Sequence, residues 1–152
     1  MKINLTKKQY QTLIKLIYLG EWVVNAHRVD DRVKEFEEFE QYILSFYKDF
    51  DMERYITFDE DLKMYFTTME FEEESGISDY IEEYDDNTFW GELIFRLVSR
   101  DLIERYGEEA VMDMDWEERM KKERVFIEEY EEEFERNGIK NLVIGKDYRP
   151  LN

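Results

Sequence analysis

The sequence predicts a mainly helical protein, a single-domain bundle of about five helices. A chain of 152 residues has the ordinary size of one domain. Apolar residues recur at spacings of three and four along several segments, which is typical of helices with one buried face. The only proline is Pro150, so proline interrupts none of these segments. We therefore assign residues 1–152 to a single acidic helical domain, with a short strand or an extended C-terminal tail as a further element.

Two helices are predicted in the first third of the chain. The first begins at Thr6, with Gln9 three residues later as the second member of a capping box. The second begins near Asp30 or Asp31, which are good N-cap residues. Four glutamates lie mostly off its apolar stripe: Glu35, Glu37, Glu38 and Glu40. The stripe itself is expected to face the core and consists of Val33, Phe36, Phe39, Ile43, Phe46, Tyr47 and Phe50.

Residues 51–87 leave alternatives open. The segment Tyr55–Phe58 is either a short strand or the entry to a helix, and Asp59 is a candidate cap for a helix that follows it. Gly76 indicates a break. Ser78 is then expected to cap a separate short helix.

The last two helices carry clearer start and stop signals. The fourth is predicted over residues 88–106, with Gly107 as a left-handed C-terminal stop. The fifth opens with Asp115 and Glu118, a second capping-box pair. The short apolar run 142–144 is interpreted as either a strand or a packed tail.

The net charge of -18 comes from 39 acidic and 21 basic side chains. Between Met64 and Phe95 there is no Lys or Arg, while ten acidic residues occur there. Such a chain repels nucleic-acid phosphates and anionic lipids, so we expect neither direct nucleic-acid binding nor membrane binding. It favours a basic partner protein. The alternative is that the charge serves solubility only.

Acidic residues alternate with aromatic ones in this base-free segment, a pattern that suits a basic partner surface. A second copy of the chain, presenting its lysine-rich N-terminal helix, is another candidate partner. The alternative is a solvated helix face with its aromatic residues turned inward. The candidate partner-binding residues are Glu72, Glu73, Glu74, Asp79, Tyr80, Glu82, Glu83, Tyr84, Asp85 and Asp86.

No motif for catalysis is present. His27 is the only histidine, the chain has no cysteine, and neither a phosphate-binding glycine loop nor a metalloprotease motif occurs. These absences argue against an enzyme, and no catalytic residue is assigned. An enzyme of unknown class that uses Glu/Asp acid–base chemistry stays open as an alternative.

Residues 49–60 resemble an EF-hand calcium loop. Calcium prefers oxygen ligands, and the loop positions that supply them correspond to Asp49, Asp51, Glu53, Tyr55, Thr57 and Glu60. Arg54 stands where the sharp turn of an EF-hand requires glycine. No metal or other cofactor is therefore favoured, and a calcium-binding protein is kept as an alternative hypothesis.

The sequence alone does not determine the function. The N-terminus lacks the pattern of a signal peptide, and no apolar stretch approaches the about 18 residues of a membrane helix, so a cytoplasmic protein is expected. The leading hypothesis is a non-enzymatic binding module that occupies a basic site on another protein, as immunity proteins, antitoxins and nucleic-acid mimics do.

Overall fold

The computed structural model describes residues 3–143, and it is mainly helical as predicted. The chain divides into two compact units, Met1–Tyr84 and Asp85–Asn152, so the assignment of one domain stays a prediction. Short 3₁₀ helices occur at Tyr47–Phe50 and Gly138–Asn141. The other described elements are α1 (Lys7–Asn25), α2 (Lys34–Leu44), β1 (Ile56–Asp59), β2 (Met64–Thr67), α3 (Met69–Ser75), α4 (Ile77–Tyr106), α5 (Glu108–Asp113) and α6 (Trp116–Asn137).

Helix α1 begins with the predicted capping box. The Thr6 hydroxyl accepts a hydrogen bond from the backbone N–H of Gln9 at 3.3 Å, and the Gln9 side chain accepts one from the backbone N–H of Thr6 at 2.9 Å. Two of the backbone donors that a helix start leaves unpaired are thereby satisfied.

Helices α1 and α2 pair in antiparallel fashion and are tied together at both ends. Near the start of α1, the Tyr10 hydroxyl donates to the backbone carbonyl of Ile43 at 2.7 Å. At the end of α1, the buried Asn25 side chain accepts from the backbone N–H of Val33 at 2.8 Å and donates to its carbonyl at 3.2 Å. The core of the first unit gathers around this pair and consists of Tyr10, Ile14, Leu44, Met52, Ile56 and Phe71.

Helix α2 differs from its prediction at both ends. It begins at Lys34 rather than near Asp30 or Asp31, because Val33 stays extended while its backbone pairs with Asn25. It ends at Leu44, so the predicted stripe does not lie on one continuous helix. The stripe is also not all core: Phe36 and Phe39 are exposed, whereas the C-terminal members pack against the core.

Residues 56–67 form a β-hairpin. Strand β1 pairs with β2 in antiparallel register, with Ile56 opposite Thr67 and Asp59 opposite Met64. The strand alternative for residues 55–58 is thus the observed one, and the expected helix after Asp59 was wrong. The Asp59 carboxylate accepts from the backbone N–H groups of Asp61 and Leu62 at 2.9 and 2.8 Å, which closes the hairpin turn instead of starting a helix.

Helix α4 joins two segments that were predicted to be separate. Gly76, with φ +66°, ends α3, so the predicted break is confirmed. The chain then starts α4 at Ile77 and continues without interruption to Tyr106, through both Ser78 and residue 88. No proline lies in this span, and Gly91 alone costs only about 1 kcal/mol in a helix.

The second unit builds its core from α4, α5 and α6. As predicted, Asp115 caps α6 by accepting from the backbone N–H of Glu118 at 2.8 Å. Helix α5 was not predicted, and it follows Gly107, whose φ is +85°. The buried residues of this core are Val98, Leu102, Val111 and Phe126.

The predicted C-terminal element falls partly outside the described residues. Leu142 and Val143 are exposed and belong to no helix or strand, and Ile144 lies outside the described residues. None of the helices in residues 3–143 combines the length and apolar composition of a membrane-spanning helix.

Replacement of Asn25 by alanine is expected to destabilise the first unit by about 2 kcal/mol, because the partly buried backbone groups of Val33 lose their partner. Urea denaturation measures this if Trp90 and Trp116 are replaced by Phe, so that fluorescence reports Trp22 alone. The control is Asn141→Ala, which removes an exposed amide bonded to Glu133. Equal decreases in the free energy of unfolding of the two variants would contradict the role given to Asn25.

Candidate functional site

The predicted partner-binding residues lie on two helices. Glu72, Glu73 and Glu74 belong to α3, and the seven from Asp79 to Asp86 belong to the first turns of α4. All are exposed except Glu72, which is half-buried. Asp85 and Asp86 lie in the second unit, and the others lie in the first.

The tyrosines of this segment point outward. Tyr80 and Tyr84 are each 56% exposed, and their spacing of four residues places them on one side of α4. Phe71, by contrast, is 3% exposed and belongs to the core. We call Asp79, Tyr80, Glu82, Glu83 and Tyr84 the acidic tyrosine face.

Not every acidic group in the predicted set is equally open to a partner. Glu74 accepts hydrogen bonds from Arg54 at 2.5 Å and from the Tyr55 hydroxyl at 2.6 Å. Asp86 accepts one from the Trp90 indole at 3.0 Å. These internal contacts make Glu74 and Asp86 less available to a partner.

A second candidate site is a cavity of about 370 Å³ in the first unit. Residues from α1, α2, β2 and α3 converge on it, and we call it the α1–α2 cavity. Its aromatic walls are Tyr18, Trp22, Tyr65 and Phe66. Its other lining residues are Glu21, Arg32, Glu37, Glu40, Gln41, Leu44, Met64, Thr67 and Glu72.

Glu40 is the most perturbed acid of this cavity. Its pKa is raised to about 7, mainly by burial and also by the nearby carboxylates of Glu21 and Glu37, while Arg32 lowers it. Within residues 3–143, no side chain forms a hydrogen bond or an ion pair with the Glu40 carboxylate. Such a group changes its charge within the physiological pH range.

The other ionisable groups of the cavity are arranged around Glu40. Arg32 pairs with Glu21 at 2.5 Å and reaches Glu37 at 3.9 Å, so its charge is shared between two other acids. The pKa of Tyr18 is raised by burial first and then by Glu72, Glu40 and Glu21. Negative charge is therefore in excess inside the cavity.

The EF-hand-like segment is not built as a calcium loop. Asp49 lies in a 3₁₀ helix, and Thr57 lies in strand β1. Glu60 forms an ion pair with Lys63 at 2.8 Å, and strand β2 follows where an EF-hand has its second helix. Among the described residues, no group of three or more His, Asp or Glu side chains is arranged to hold a metal ion.

Two further clusters carry ionisable groups. His27 is exposed just beyond α1, with its Nε2 atom 2.6 Å from the Arg28 guanidinium. In the second unit, the Tyr130 hydroxyl bonds to Asp101, and Arg100 contacts both at 3.1 and 2.6 Å. Burial raises the pKa of Tyr130, and the hydrogen bond to Asp101 adds to this. Neither cluster lines the α1–α2 cavity.

Comparisons of the chain with family models, with curated proteins and with solved structures give no match.

One of the two candidate sites is predicted from the sequence, and the other is not. The residues of the acidic tyrosine face are continuous along the chain, so composition is enough to single them out as candidates. The α1–α2 cavity is lined by residues between 18 and 72, and the sequence pattern of α2 indicates only that Glu40 lies mostly off the apolar stripe. The available signal was that Glu37 and Glu40 share one side of α2 with Gln41 and Leu44.

Glu40→Gln is expected to raise the melting temperature at about pH 8 and to change it little at about pH 5. The folded pKa lies above the unfolded value, so the folded state binds the proton more tightly, and stability is lost as pH rises from about 4.5 to about 7. Glutamine keeps the shape of the neutral acid without the charge. The control is Glu38→Gln, which removes an exposed charge from the same helix. A gain that is the same at both pH values would refute the assignment.

Calcium is expected to raise the melting temperature no more than magnesium at equal concentration. The candidate ligands do not converge, so only general screening of the net negative charge remains. Thermal unfolding in each salt measures this. A calcium-specific rise that disappears in Glu60→Gln would restore the calcium hypothesis.

Proposed function

We propose that the protein is a non-enzymatic binding module that occupies a basic site on another protein through its acidic tyrosine face. The single observation that carries this proposal is the exposure of Tyr80 and Tyr84 in a segment without lysine or arginine. A solvated helix face does not require large rings on its outer side. Tyrosine is enriched at protein interfaces, where it offers both apolar area and a hydroxyl group.

The charge of the face sets the chemistry of the partner. Asp79, Glu82 and Glu83 lie on the same turns of α4 as the two rings, and no Lys or Arg lies between Lys63 and Arg96. A basic surface, such as one that binds nucleic-acid phosphates, presents cations that these carboxylates match. Attraction of this kind speeds the encounter and weakens with salt. We place the protein in the cytoplasm as part of the same proposal.

The alternatives have less support. A second copy of the chain would bring its own net charge of -18, and long-range repulsion opposes that encounter. For an enzyme that uses Glu/Asp chemistry, the described residues offer Glu40 as a titrating group but no second group of known role beside it.

The partner is sought by capture from a lysate of the source organism at low salt, elution with a salt step and mass spectrometry. The reconstituted pair is then titrated against sodium chloride. We expect Tyr80→Ala/Tyr84→Ala to weaken binding at least about tenfold, because interface tyrosines carry a large share of binding energy. The matched control is Tyr42→Ala, which removes a ring that is 59% exposed on α2.

An acidic partner, an affinity independent of salt, or equal losses in Tyr42→Ala and the double variant would each refute the proposal. An eluate of many abundant nucleic-acid-binding proteins would show that the acidic surface binds basic proteins nonspecifically. An empty eluate would count against a partner of this kind.

A further inference from the structure

The α1–α2 cavity combines three features that together specify a ligand class. It encloses about 370 Å³, at the lower end of small-ligand pockets, so it suits a short and slender group. Its aromatic walls include Trp22 and Tyr65, and ring faces attract cations. It contains the Glu40 carboxylate, which has no hydrogen-bond or ion-pair partner within residues 3–143.

We propose that the α1–α2 cavity binds an alkylammonium or alkylguanidinium group, with Glu40 as its counter-ion and the rings of Trp22 and Tyr65 along its aliphatic chain. The ligand is either the side chain of a lysine or arginine or a free polyamine, which share this chemistry. The cavity has no residue in common with the acidic tyrosine face, so the two proposals can be tested independently.

Charge selects a cation for this cavity. A partly buried carboxylate without a partner is costly, and a bound cation removes this cost by forming the missing ion pair. Arg32 cannot do so, because its guanidinium is committed to Glu21 and Glu37. The Glu72 carboxylate, on the α3 side of the cavity, adds to the attraction.

An organic cation fits better than a metal ion. The carboxylates of the described residues are not arranged to hold a metal. Hydrated metal ions also gain little from aromatic walls, whereas the methylene groups of an alkyl chain pack against them. Gln41 keeps the wall in place, because its amide bonds to both backbone groups of Tyr65 at 2.7 and 3.0 Å.

The proton on Glu40 competes with the ligand. Because the pKa of Glu40 is about 7, affinity is expected to fall about tenfold from pH 8 to pH 6. The charged groups that face Glu40 are Glu21 on α1, Glu37 on α2, Glu72 on α3 and Arg32, with the Tyr18 hydroxyl beside them. Glu40 is the carboxyl group whose pKa is raised to about 7, so we assign the change around neutral pH to it.

The test uses the full chain with Trp90→Phe and Trp116→Phe, so that fluorescence reports Trp22 in the cavity wall. The probes are N-acetyl-lysine amide, N-acetyl-arginine amide and spermidine. N-acetyl-norleucine amide, which has an alkyl side chain without the ammonium group, is the matched neutral probe. We expect a saturable change with at least one cation and none with the neutral probe.

Variants assign the effect to Glu40. Glu40→Gln is expected to weaken binding at least about tenfold and to abolish its dependence on pH, while Glu38→Gln changes affinity less than about twofold. Glu40→Asp, which keeps the charge on a shorter side chain, is expected to bind with intermediate affinity and to retain the pH dependence.

Saturation by the amino-acid amides alone supports a protein side chain as the ligand, and saturation by spermidine alone supports a free polyamine. Absence of saturation up to about 10 mM of every cation would overturn the proposal. Equal effects of Glu40→Gln and Glu38→Gln would overturn it as well. Because none of these readouts involves Tyr80 or Tyr84, a negative result for the cavity would not contradict the function proposed for the acidic tyrosine face.

Discussion

The antiparallel pairing of α1 and α2 is the constraint on which the first unit depends. Two side-chain-to-backbone contacts, one at each end, hold the helices in register: Tyr10 to Ile43, and Asn25 to Val33. The register decides which residues turn inward. It gathers Ile14 and Leu44 in the core, and it brings Glu40 close to Glu21, where both face the α1–α2 cavity. The raised pKa of Glu40 is thus a consequence of the register in which α1 and α2 pack.

The hydrogen bonds of capping residues made some helix starts predictable from the sequence. The same kind of hydrogen bond led to a wrong prediction of a helix after Asp59. Thr6 and Asp115 were identified correctly as helix caps, because an oxygen before an amphipathic run accepts a backbone N–H two or three residues ahead. Asp59 makes the same kind of bond, but within a hairpin turn. An aspartate that accepts nearby backbone N–H groups is compatible with both outcomes, and only the pairing of β1 with β2 decides between them.

The two candidate sites also differ in how far the sequence predicts them. The exposure of Tyr80 and Tyr84 had been one of two alternatives for a segment whose acidity was evident from its composition. The α1–α2 cavity had no such signal, because its lining residues are far apart in the chain. The amphipathic pattern of α2 even pointed away from it, since Phe36 and Phe39 are exposed and Glu40 is partly buried. Tertiary contacts overrode a periodicity that would normally place the aromatic residues inside.

The base-free span from Met64 to Phe95 also governs how the chain can be cut. Trypsin requires lysine or arginine, so β2, α3 and the first two thirds of α4 would be released as one peptide that begins at Met64 and ends at Arg96. Trypsin therefore does not detect local unfolding of this part of α4. A protease that cleaves after glutamate encounters Glu82, Glu83 and Glu92 there, all exposed on the helix. Its cleavage rate would report how often α4 unwinds where the chain passes from one unit to the next.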